Sequence, residues 1–137
     1  MVDRPEFDRW RKEAGQALRG AQAQAAAGVH NWACFSAEQA AQLVVKALLH
    51  GLGEGPRGHD LMDLGQKAED AAADAWELDV RRELQALSQL YIPTRYPDAH
   101  AGGPPGDHYS DADSGRAIAM AAAVIEAVDA AWAKLQA

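Results

Sequence analysis

The chain has 137 residues, enough for one domain with a real core and too few for two ordinary ones. Thirteen Lys and Arg stand against twenty Asp and Glu, a net charge of −7, which argues against a broad nucleic-acid-binding surface because such surfaces neutralise phosphates with clustered cations. A single cysteine, Cys34, excludes an intrachain disulfide and a thiolate zinc site, and its apolar helical context, WACFSAEQAA, predicts a packed core thiol.

From the N-terminus, Phe7, Trp10, Ala14, Ala17 and Ala21 recur at threes and fours, which predicts a helix from about Pro5 to Ala27, ended by Gly28. A second, Asn31 to Leu52, is apolar around most of its circumference, as a central helix must be. GLGEGPRGHD breaks the pattern, and Asp60 is placed to cap a short helix beginning LMDLGQKAED. Trp76, Val80, Leu84, Leu87 and Tyr91 predict a fourth helix that Pro93 stops. The connection from Ile92 to Tyr109 contains four prolines and three glycines and is long for a small bundle, a sign of a functional loop. Ser110, with Asp113 three residues on, is the expected cap of a last helix carrying Ile118, Ile125, Val128, Trp132 and Leu135. The expected fold is all-α: one domain over 1–137, an up-and-down bundle of four main helices plus one short one. Alanine-rich faces bury little area each, which favours a homodimer. The chain lacks an apolar run long enough to span a membrane, and MVDRPEFDRW lacks the core of a signal peptide, so a cytoplasmic location without membrane contact is expected.

Ordered motifs then narrow the reading. W-A-C-F-S-A-E-Q-A-A-Q-L-V-V-K-A-L-L at 32 to 49 precedes G-H-D-L-x-D-L at 58 to 64, L-Y-I-P-T-R-Y-P-D-A at 90 to 99 and H-Y-S-D-A-D at 108 to 113. Together they resemble the HEPN domain family, the higher eukaryotes and prokaryotes nucleotide-binding domain, over nearly the whole chain. The resemblance implies a helical bundle, frequent homodimers and frequent pairing with a small nucleotidyltransferase. It also implies either nucleotide binding or metal-independent RNase activity of toxin or defence type. RNase branches carry Arg, four to six residues, then His, and Arg95 and His100 fit that spacing. A histidine can take the proton of a ribose 2′-hydroxyl while an arginine stabilises the attacked phosphate. Pro97, however, prevents an uninterrupted helix between them.

A binding reading uses an overlapping set. Lys46 follows Gln39 by seven residues and shares its helix face. If the loop of the 90s packs over this face, Arg95 and Lys46 would contact phosphates while Tyr91 or Tyr96 stacks on a base, with His59 nearby. Other roles for these residues are simpler: Lys46 pairing with Glu38 or Asp98, and His59 as an edge imidazole. No G-x-G-x-x-G or P-loop motif is present, so a nucleotide site has to be assembled from side chains. The five histidines show no helical i, i+4 metal pair and no H-E-x-x-H, so neither a metal nor another cofactor is expected. A third reading is a protein-interaction module without catalysis.

Overall fold

The computed structural model describes residues 2–136, and among these there are five α-helices and no strand. Helix α1, Arg4–Ala26, starts at Asp3, whose carboxylate accepts from the Glu6 N–H at 3.1 Å, and ends before Gly28, which turns the chain at φ 80°. Helix α2, His30–Gly51, lies at the centre: α1, α5 and α3 all pack against it, and its buried face includes Ala37, Ala41, Val44, Val45 and Leu48. Helix α3, Leu61–Ala72, is capped by Asp60 as expected, and α4 covers Arg81–Ser88. Helix α5, Asp111–Leu135, opens on a reciprocal cap in which Ser110 N–H donates to Asp113 at 2.8 Å and Asp113 N–H donates back to Ser110 Oγ at 3.3 Å. The bonds from Ser110 hold the Asp113 carboxyl below its usual range. No described helix is long and apolar enough to cross a membrane.

The all-α bundle therefore matches the expectation, with one substantive correction. The apolar spacing from Trp76 to Tyr91 is not one helix. Ala73 turns left at φ 50°, residues Ala73–Ala75 form a 3₁₀ turn, and Trp76 is extended. Asp79 then accepts from the Arg81 N–H at 3.1 Å, and α4 begins only there. At its other end Ser88 Oγ donates to Gln85 O at 2.6 Å and helical geometry ends five residues before Pro93. Trp76 and Val80 still reach the core, but from irregular backbone. Thus α4 is the short helix of the bundle, and Tyr91 sits on a turn. The long connection before α5 is ordered by two further 3₁₀ turns, Pro97–Ala99 and Pro105–His108.

Candidate functional site

The start of α2 and the turn after α4 are fastened together by buried polar groups. Thr94 is fully buried; its hydroxyl donates to Leu90 O at 2.7 Å, and its carbonyl accepts from Asn31 Nδ2 at 3.0 Å. Each buried polar atom thus has a partner, which is the condition for burying it at all. With Thr94 pinned, the next residue is directed across α2. The guanidinium carbon of Arg95 lies 4.1 Å from the centroid of Phe35, 4.7 Å from that of Tyr91 and 5.1 Å from that of Tyr96. Its Nε and Nη2 donate to Tyr91 O at 3.0 and 2.8 Å. A cation among three rings is held by their quadrupoles without losing its charge, and three of its five N–H groups have no protein partner among the described residues.

The aromatic surface continues on both sides of Arg95. His59, from the loop between α2 and α3, stacks on Tyr91 with centroids 4.3 Å apart and planes 16° from parallel. Trp32 meets Phe35 edge-on at 6.0 Å. Tyr96 and Trp32 remain 46% and 43% exposed, so their faces are open to stacking. Tyr96 is extended, as a residue before proline should be. Beside this surface a groove of about 430 Å³ is lined by His59, Asp60, Leu61, Ser88, Gln89, Tyr91, Ile92 and Pro93.

Beneath it lies Glu38, three residues along α2 from Phe35 and fully buried. Its carboxylate accepts from Gln39 Nε2 at 2.8 Å and Gln42 Nε2 at 2.6 Å. Burial raises its pKa, while the two amides and the electrostatic influence of nearby His59 and Arg95 act in the opposite sense.

His100 occupies a different setting. Its Nε2–H donates to Pro93 O at 2.6 Å, and its ring stacks on His108 at 4.2 Å with Tyr109 edge-on at 6.1 Å. His108 Nε2–H in turn donates to Gly102 O at 2.6 Å. Arg95 and His100 therefore belong to neighbouring turns but have no side-chain partner in common among their recorded contacts.

Of the residues singled out from sequence, Arg95, Tyr91, Tyr96 and His59 come together on one surface. Gln39 supports it from below through Glu38. Lys46 lies eleven residues beyond Phe35, about 16 Å further along α2 at 1.5 Å per residue, and no ion pair joins it to Glu38 or Asp98 among the described residues. Phe35, Trp32, Glu38 and His108 were not expected in the site. A lone carboxylate inside an otherwise apolar helix is the signal that could have found Glu38. Among the described residues, no group of three or more His, Cys, Asp or Glu side chains is arranged to hold a metal ion. Cys34 is fully buried, and desolvation pushes its thiol up to about 11, as expected for a core position.

The model of the HEPN domain matches residues 7–131. The crystal structure of TT1696 from Thermus thermophilus is similar at 32% sequence identity and TM-score 0.83, over 90% of this chain and 95% of that one. The crystal structure of ST0689, an archaeal HEPN homologue, is similar at 28% identity and TM-score 0.72, over 90% and 94% of the two chains. No significant match was found among curated proteins.

Proposed function

Since the chain belongs to the HEPN domain family, we propose that it is a homodimeric nucleotide- or RNA-binding module that works with a small nucleotidyltransferase partner. The observation that carries this reading is the Arg95 guanidinium lying within 4.1 to 5.1 Å of three ring centroids, with open aromatic faces on either side. Base–aromatic stacking with one charge-assisted contact suits a nucleotide or an RNA end. It does not require the basic surface that this chain lacks. Calorimetric titration with the common nucleotides and with the RNA dinucleotide ApA tests it. Arg95→Ala should weaken binding by about tenfold or more, and Lys46→Ala reports whether the site extends along α2. The absence of binding heat with every one of these ligands would overturn the reading. Co-purification of a nucleotidyltransferase from native cells tests the partner, and sedimentation tests the dimer.

One observation favours a second reading, a metal-independent ribonuclease. Because His100 Nε2 carries the proton given to Pro93 O, Nδ1 is left with a free lone pair able to act as a base. In that case His100→Ala abolishes RNA cleavage measured in chelator; full cleavage by that variant removes the base.

A further inference from the structure

Tyr91 joins two chemically different halves of the candidate surface. Its ring centroid lies 4.7 Å from the Arg95 guanidinium carbon and 4.3 Å from the His59 centroid, so guanidinium and imidazole are at most about 9 Å apart. The ribose of a single nucleotide bridges such a gap. On the Arg95 side the free N–H groups suit a phosphate. On the His59 side lies the groove of about 430 Å³, with Leu61, Ile92 and Pro93 as its apolar lining and neither Lys nor Arg among its residues. His59 is itself exposed there, so its ring offers a stacking wall.

The polar groups of the groove are of one kind. Asp60 Oδ1 caps α3, accepting from Met62 N–H at 3.1 Å and Asp63 N–H at 3.3 Å, whereas Oδ2 has no partner among the described residues. That oxygen keeps both lone pairs. Ser88 spends its hydroxyl proton on Gln85 O, and Gln89 adds an exposed side-chain amide. A carboxylate at this place repels phosphate and calls for a ligand that donates hydrogen bonds. We infer, granted the ligand site proposed above, that the groove is its base subsite, that it selects guanine, and that Asp60 is the specificity-determining residue. Among the common bases only guanine sets two neighbouring donors, N1–H and the N2 amino group, beside an acceptor, O6. Asp60 Oδ2 accepts from the two donors while the Gln89 amide donates to O6. Adenine turns the lone pair of its N1 toward the same carboxylate, which costs affinity.

Calorimetry with GMP, IMP and AMP tests this, because IMP differs from GMP only in lacking the N2 amino group. The wild type should bind GMP about tenfold more tightly than either of the others. Asp60→Asn preserves the cap of α3, since asparagine caps as well as aspartate, and the thermal transition should confirm that the fold is kept. In this variant the ratio of GMP to IMP affinity should fall to near one. Arg95→Ala should weaken all three nucleotides alike, because a phosphate contact does not read the base. Wild-type protein that binds IMP or AMP as tightly as GMP overturns the inference while leaving the site standing, as does Asp60→Asn with the preference for GMP intact. Failure of all three to bind the wild type overturns the site for mononucleotides and the guanine subsite with it.

Discussion

The two ends of α2 are finished in opposite ways. At its C-terminal end Gly51 lies beneath Trp132, which stacks on Phe7 with centroids 4.1 Å apart and planes 8° from parallel. A Cβ at Gly51 would come within 2.6 Å of the Trp132 ring, so the helix and the ring approach as closely as a glycine permits. Asp3 N–H closes that end on Gly51 O at 2.7 Å. Near the N-terminal end Ala33 and Cys34 are buried as well, but the outer neighbours are Thr94, Arg95, Tyr91 and Tyr96, and directed hydrogen bonds hold that turn in place. Apolar burial is non-directional and closes space. A few directed bonds fix a segment by its backbone and leave the adjoining ring faces open, so one helix serves as scaffold at one end and as presenting surface at the other.

Substitutions at the two ends should separate stability from binding. The largest effect is expected for Trp132→Ala, about 3 to 5 kcal/mol of stability in denaturant unfolding, with ligand affinity of the folded protein unchanged. Reduced affinity under fully native conditions would show that the closed end also shapes the site and would break the contrast. Asn31→Ala leaves the Thr94 carbonyl without its donor and should cost about 1 to 3 kcal/mol. Here affinity should fall together with stability, because Thr94 sets the position of Arg95; unchanged affinity would mean that Arg95 is placed by its rings alone. The smallest effect concerns Cys34 beside the polar end. Its thiol is raised to about 11 from an ordinary value of 9.0, so its contribution is fully present below pH 9.0 and is lost between there and about 11, where the unfolded thiol ionises first. Alkylation at neutral pH should accordingly follow global unfolding, and rapid labelling of the native protein would show that this part of α2 opens locally.

Much of the fold is legible because α1, α2 and α5 repeat their apolar residues at threes and fours over six or more turns, with Gly28 and the Ser110–Asp113 pair marking ends. The span from Trp76 to Tyr91 is misread for a definite reason. Trp76 and Val80 keep helical spacing because both face the core, but the backbone that carries them has already left the helix at Ala73. In the candidate site, Arg95, Tyr91 and Tyr96 are legible as a cluster within ten residues. Phe35 is not, since on α2 a phenylalanine reads as helix interior and only the packed turn brings Arg95 onto its ring, whereas the one signal of Glu38 is a carboxylate in an otherwise apolar stretch. The His100–His108 stack joins residues eight apart in an irregular loop, where no periodicity announces a contact.

The sheltering of Arg95 among three rings in a molecule of net charge −7 also bears on the kinetics of ligand capture. Seen from beyond a Debye length, about 8 Å at physiological salt, an approaching anion meets the overall negative field, and only at contact does it meet the guanidinium. Added salt first screens that repulsion, so anion association should quicken with ionic strength, opposite to proteins that steer polyanions onto basic faces. The surface selects at short range, after encounter.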